Sequence, residues 1–221
     1  MGNILLVHGA CMSGSSWDLV APPLRERGHQ VEAIDLHRGS LAADTAYAQA
    51  VADGLGGSVV ACGHSYGGMV VTGLTLPLGS QLAYIAAFLP SEGESSGGLM
   101  SQWPSDGSSV MTLDKDGQIV LSGDELDAIA WGDATPEQAS IGRAAQRSQA
   151  VAPAFESPTR FGWRDTPSTY VLCRQDRVVQ PALQREMAQR ATNLVEWESS
   201  HCPNLSHAGD VVDLLDRLAT S

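Results

Sequence analysis

The sequence predicts a doubly wound α/β fold, a mostly parallel sheet of about six strands with helices on both faces. Three observations predict it. Short β-branched runs alternate with helix-length segments over much of the 221 residues. The runs are almost continuously apolar, as strands covered on both faces are. Finally, 43% hydrophobic residues can fill a core, while 17% charged residues are too few for a disordered chain. Strands are expected at 3–7, 31–34, 58–62, 82–88, 168–172 and 193–198. Helices are expected at 16–27, 44–54, 66–76, 182–190 and 210–219. Pro22-Pro23 and Pro181 mark helix starts, where the missing N–H of proline costs no hydrogen bond.

The alternation stops between about 89 and 166, where Gly, Ser, Pro and Asp accumulate. A stretch this long does not stay structureless in a compact domain. A hairpin is expected over 110–121, with Asp116-Gly117 near its turn. Ser122 with Glu125 reads as a capping box for one helix, and Thr135-Pro136-Glu137-Gln138 as cap, N1 proline and box for another. The chain therefore reads as one domain, 1–221, with residues 89–166 inserted as a lid over the carboxyl ends of the strands. Open α/β sheets bind their ligands there.

Charge excludes several functions. Thirteen basic against 25 acidic residues leave −12, which argues against nucleic acid or an anionic membrane surface as partner. The single lysine, Lys115, sits between Asp114 and Asp116, so the Gly-Lys-Ser/Thr of a phosphate-binding loop is absent. Schiff-base chemistry would rest on Lys115 alone. The longest apolar run, 82–89, is eight residues, against the ~18 that a membrane span needs. The opening MGNILLVHG lacks the basic region of a signal peptide, and Leu6 stands where a myristoylation pattern needs Ser or Thr. Cys11, Cys62, Cys173 and Cys202 are far apart with no CxxC pair. They read as reduced thiols of a cytoplasmic protein, with no metal site and no cofactor expected.

The central motif is GHSYGG at 63–68. G-x-S-x-G sets a serine on a sharp strand-to-helix turn with its hydroxyl exposed above the sheet, and its glycines are small because a side chain would collide inside the turn. With 23 Gly and 23 Ser, chance alone predicts roughly 0.2 matches to so short a pattern. A second match, Gly93 to Gly97 around Ser95, does occur. Context separates the two. Ser65 has a strand before it and an apolar helix after it, whereas Pro90 precedes the other match and residues 98–106 show no helical period.

A nucleophilic serine needs a base and an orienting acid, here expected in chain order Ser, Asp/Glu, His. Among six histidines, His201 follows the last strand through Ser199-Ser200, where a loop can reach Ser65. His207 reads as a surface residue, His64 as a structural neighbour in the turn, and His8 as a shaper of the loop after the first strand. Asp176, just past strand 168–172, is the favoured acid, with Glu92 and Glu94 as rivals. The 25 residues from Asp176 to His201 hold one helix and one strand, which brings both loops to one rim. An oxyanion hole would use the backbone N–H groups of Tyr66 and Ala10, because charge develops on the carbonyl oxygen only in the transition state. Met100, Trp103 and Trp131 are the apolar lid residues expected to line a pocket, although such aromatics also fill cores.

These pieces resemble an α/β-hydrolase of the small group that includes plant methyl-ester esterases and hydroxynitrile lyases, with bacterial esterase-like relatives. The resemblance rests on LLVHGAC at 5–11 with Trp17, DL at 35–36, GHSYGG at 63–68, AAFLP at 86–90, CRQDRVVQPALQREM at 173–187 and SSHCPNLS at 199–206. It runs from end to end, the lid being least alike. It implies the α/β-hydrolase fold, Ser65, Asp176 and His201 as triad, and Ala10 and Tyr66 as the hole. It departs at His37-Arg38-Gly39, where the group often has a Pro-Gly turn. That concerns the rim loop and not the triad.

The expected activity is hydrolysis of a small to medium carboxylic ester through an acyl-enzyme, with an ester-like small molecule as substrate and neither nucleic acid nor membrane as partner. Two alternatives stand beside it: thioester cleavage or cyclisation with the same residues, and non-catalytic binding of a small molecule. Hydroxynitrile lyases of the group set a lysine beside the catalytic histidine, and here Cys202 follows His201. That chemistry is not expected.

Overall fold

Val59–His64 and Ser168–Cys173 are buried along their whole length, as strands inside a two-sided sheet must be. The computed structural model describes residues 1–36 and 39–221, so most of the rim turn at His37-Arg38-Gly39 lies outside the described residues. The strands are β1 (Asn3–Val7), β2 (Gln30–Ile34), β3 (Val59–His64), β4 (Gln81–Ile85), β5 (Met111–Leu113), β6 (Ile119–Leu121), β7 (Ser168–Cys173) and β8 (Asn193–Trp197). Six of them form one parallel sheet in the order β2-β1-β3-β4-β7-β8, and β5 and β6 make the separate hairpin. The chain leaves β1 for β2 on one side and returns to β3 on the other. The loops after β1 and β3 thus flank the switch point, the usual ligand crevice of an open sheet.

The helices are α1 (Ala21–Glu26), α2 (Leu41–Leu55), α3 (Gly67–Thr72), α4 (Ser96–Gln102), α5 (Leu126–Ala130), α6 (Pro136–Ala144), α7 (Pro181–Ala188), α8 (Pro203–Ser206) and α9 (Ala208–Thr220). Alternation along β1 divides the core between the two faces. Leu5 and Val7 join the cluster on the face of α2, α3 and α7, with Ala48, Val70 and Met187, while Ile4 and Leu6 join the one on the face of α1 and α9, with Leu24, Val211 and Leu215. No helix among the described residues is long and apolar enough to cross a membrane.

Several elements differ from expectation, each for a local reason. The helix expected at 16–27 is split into a 3-10 turn, Gly14–Trp17, and α1, because Pro22 and Pro23 cannot donate back into an earlier turn. Strand 82–88 ends at Ile85, where Ala86 takes φ 46 and its N–H reaches the Val171 carbonyl. Helix 66–76 stops at Thr72, with Gly73 packed so closely that a Cβ there would lie 2.7 Å from Thr45 Cγ2. The capping box at Thr135 forms, but the one at Ser122 does not. Ser122 Oγ pairs instead with Thr112 Oγ1 at 2.7 Å and extends the hairpin. Residues around Ser95 also hold a helix that the period missed: Ser95 caps α4, accepting the Gly98 N–H.

The glycines of β3 and α3 mark a backbone crossing with no room for side chains. A Cβ on Gly63 would meet the Gly67 carbonyl carbon at 2.6 Å, and one on Gly67 would strike the Val7 carbonyl oxygen. Gly67→Ala should therefore lower the unfolding free energy by about 1–3 kcal/mol, the usual cost of overpacking. Gly54→Ala, in α2 with open space around it, should raise it by up to ~1 kcal/mol. Denaturant melts of both variants check the contrast, and equal midpoints would contradict it.

Candidate active site

Ser65 sits between β3 and α3 with φ 51, in the left-handed region that costs an ordinary L-residue roughly 1–2 kcal/mol. Neighbouring backbone holds it there. The Ser65 N–H donates to the Ile85 carbonyl at 3.3 Å, and its own carbonyl accepts from Gly68 and Phe88 at 3.0 and 3.1 Å.

Asp176 follows β7, and its side chain is fully buried. Four donors converge on it. The Val178 and Val179 N–H groups reach Oδ1 at 2.7 and 2.9 Å; Gln184 Nε2 and His201 Nδ1 each reach Oδ2 at 2.8 Å. A carboxylate only accepts, so His201 carries its proton on Nδ1 and leaves the Nε2 lone pair free to act as a base. Gln184 is itself clamped, with Oε1 accepting the Cys173 N–H at 3.0 Å and Nε2 also donating to the Val179 carbonyl.

Ser65 and His201 meet at one apolar cavity with about 410 Å³ of free space, open solvent at its mouth included. Its other walls include Gly9, Ala10, Met12, Val110, Met111, Leu121, Trp131 and Val178. Ser65 Oγ makes no hydrogen bond with His201 among the described residues. Such contacts are commonly loose until substrate binds. Beside the cavity, neither the Ala10 nor the Tyr66 N–H is engaged among the described residues, whereas the Cys11 N–H is taken by Gln149 Oε1 at 2.9 Å. The Tyr66 side chain points away, its hydroxyl donating to buried Asp44 at 2.9 Å.

Of the expected lid residues, Trp131 lines this cavity and Met100 and Trp103 do not. Met100 on α4 and Trp103 just after it pack half-buried against the apolar core, and Ser96 Oγ ties the start of α4 to the Ala154 carbonyl at 3.2 Å. Glu94 is occupied elsewhere, its two oxygens meeting Arg190 at 2.6 and 2.9 Å. Burial opposes its charge, but Arg190 and the Ser91 N–H overcome this and hold it below the usual carboxylate range. Glu92 is exposed. His8 accepts the Leu36 N–H on Nε2 at 2.9 Å, which leaves Nδ1–H to donate to the Gly9 carbonyl and shape that loop. His207 is half-buried between Asp133 and Asp210.

Three supporting residues went unnoticed in the sequence. Gln184 had a signal, since it lies on the buried face of α7 beside Leu183 and Met187, where a polar residue needs a partner. Asp133 and Gln149 had none, because both lie in the irregular segment between β4 and β7. Asp133 accepts the Ser200 N–H at 3.0 Å and also the Ser200 hydroxyl, next to His201.

This fold and geometry have relatives. The family model described as "Alpha/beta hydrolase family" matches residues 4–214, and the chain belongs to that family. It is 28% identical over 179 residues to the alpha/beta hydrolase nvfD of Aspergillus novofumigatus, covering 74% of this chain and 71% of that protein. Among solved structures, the pyrethroid hydrolase of Sphingobium faniae JZ-2 superposes with a TM-score of 0.83 at 21% identity, over 100% of this chain and 98% of that one. Polyneuridine aldehyde esterase gives 0.79 at 19% identity, over 97% and 98%.

His64 makes a test of the site's electrostatics. Its Nε2–H donates to the His201 carbonyl at 2.8 Å, and its Nδ1 is buried without a partner. Burial, with His201 adjacent, pushes its pKa down to about 3 from 6.5. Between those two values the unfolded chain binds a proton that the folded chain refuses, so this residue's contribution to stability falls as pH falls through that window. In an NMR titration the His64 ring signals should stay flat from pH 8 to pH 4; a midpoint near 6.5 would contradict the burial argument.

Proposed function

We propose that the protein is a serine hydrolase that cleaves a small to medium, uncharged carboxylic ester through an acyl-enzyme on Ser65. The observation that carries the reading is the buried Asp176–His201 hydrogen bond of 2.8 Å at the rim of the cavity that also holds Ser65. With Nδ1–H committed to Asp176, His201 Nε2 takes the Ser65 hydroxyl proton as Oγ attacks the ester carbonyl. The tetrahedral oxyanion is received by the Ala10 and Tyr66 N–H groups. His201 then returns the proton to the leaving alkoxide, and the same base activates water to release the acid and restore Ser65. Asp176 holds the ring's tautomer and stabilises the imidazolium without itself taking the proton.

The substrate class follows from the cavity walls. Met12, Val110, Met111, Leu121, Trp131 and Val178 offer apolar surface, and among the described residues no Arg, Lys, Asp or Glu lines them. A charged acyl or alcohol group would be desolvated there without a partner. Membership of a hydrolase family and the fold-level likeness to a pyrethroid hydrolase and an esterase agree with ester cleavage. Four buried free thiols fit a reducing compartment such as the cytoplasm.

Treatment with a fluorophosphonate followed by peptide mass spectrometry should place one adduct on Ser65, and Ser65→Ala should abolish turnover of an activated ester such as p-nitrophenyl butyrate. An adduct on Ser95, or Ser65→Ala turning over as fast as the wild type, would overturn the reading. Asp176→Asn should lower kcat by about 10⁴, as the analogous change does in a serine protease, because the amide favours the wrong histidine tautomer. Glu94→Gln, which removes the charge that Arg190 and the Ser91 N–H hold, should stay within about tenfold, a difference of roughly 1.4 kcal/mol. The reverse pattern in kcat/KM would make Glu94 the acid.

A further inference from the structure

We infer that Gln149, in the insertion, is the positioning residue of the oxyanion loop; the inference rests on the hydrolase reading above. The loop after β1 carries two successive N–H groups, those of Ala10 and Cys11, on adjoining peptides. Among the described residues, only one has an acceptor. Gln149 is 2% exposed, and its Oε1 takes the Cys11 N–H at 2.9 Å, so the Ala10 N–H is the one left to face substrate.

The loop needs this hold, because Cys11 sits at φ 57, a left-handed conformation that a side-chain-bearing residue keeps only when its surroundings impose it. The insertion grips it at several points. The Arg147 N–H donates to the Cys11 carbonyl at 2.9 Å, and Ser13 Oγ donates to the Ala145 carbonyl at 3.0 Å. Gln149 is in turn locked to the hairpin: its N–H and carbonyl pair with the carbonyl and N–H of Ile119 at 2.9 and 2.7 Å. Among these contacts, the Gln149 amide is the one made by a side chain of the insertion, so it can be removed without touching backbone. Without it, the Cys11 N–H is a buried donor lacking a partner, and the Ala10–Cys11 peptide is free to turn over toward an unstrained φ. The Ala10 N–H, one peptide earlier, then loses its aim at the oxyanion.

The test separates aim from mere stability. Rates on p-nitrophenyl butyrate are measured per active site titrated with fluorophosphonate, beside the Ki of a trifluoromethyl ketone whose hydrate-like adduct places an oxyanion in the hole. Gln149→Met keeps the length and loses the acceptor. Its kcat should fall 10- to 100-fold with KM within threefold, and its Ki should rise by the same factor as kcat falls. Gln149→Glu, which keeps an oxygen at the same reach, should recover most of that loss. If the Met variant does not fold, Gln149→Ser is measured in the same way. A variant without the acceptor that stays within threefold of wild type, or that loses kcat with an unchanged Ki, overturns the inference. Wild-type protein with no Ser65-dependent turnover of any ester would instead overturn the hydrolase reading, and this inference with it.

Discussion

Three stretches of backbone cross at the foot of the cavity with no side chain between them, and the rest of the site depends on that contact. Gly63 lies against Gly67, Gly67 against the end of β1, and Gly68 against the Phe88 carbonyl. Any Cβ at these points meets backbone, which cannot swing aside as a flexible side chain can. The crossing sets Ser65 in its left-handed turn and brings the loop after β1 alongside it. The strain at Ser65, of order 1–2 kcal/mol, is small against the burial of strands on both faces of the sheet. A turn so placed does not relax, because relaxing it would pull the sheet and α3 apart.

A carboxylate buried in a protein of net charge −12 needs a reason to stay there. Asp176 has one in its four donors, two from its own turn, one from Gln184 and one from His201. Three of the four are independent of the histidine, so the acid is oriented before His201 docks on it. Glu94 shows the contrast. It too is well bonded, but its partner is Arg190, and a carboxylate neutralised by a guanidinium holds a loop in place without presenting a base.

The segment between β4 and β7 both walls the cavity and fastens two of the loops beside it. Val110, Met111, Leu121 and Trp131 form walls, Asp133 fastens the residue before His201, and residues 145–149 fasten the loop of Ala10 and Cys11. One segment therefore contributes to both the shape offered to a substrate and the alignment of the groups around it.

The sequence alone determined the strand-helix alternation and the serine turn, and it offered Ser65, Asp176 and His201 as candidates in that chain order. Each of these is written locally: continuous apolar runs read as covered strands, glycines around Ser65 read as a crossing, and chain order in a parallel sheet puts all three loops on one edge. The choice of Asp176 over Glu94 was legible only as a preference, because both follow strands; the Arg190 pairing lies 96 residues away in the chain and has no local trace. The insertion was the least legible. Ser122 faces a hairpin partner instead of capping a helix, α4 forms where no period showed, and Met100 and Trp103 pack half-buried against the core. Short elements of four to seven residues carry too little periodicity to be read. Their orientation is decided by the partners that satisfy their buried polar groups. Asp133 finds Ser200, and Gln149 finds Cys11, only when the chain has folded, since hydrogen bonds between residues 67 and 138 positions apart are a property of tertiary structure alone.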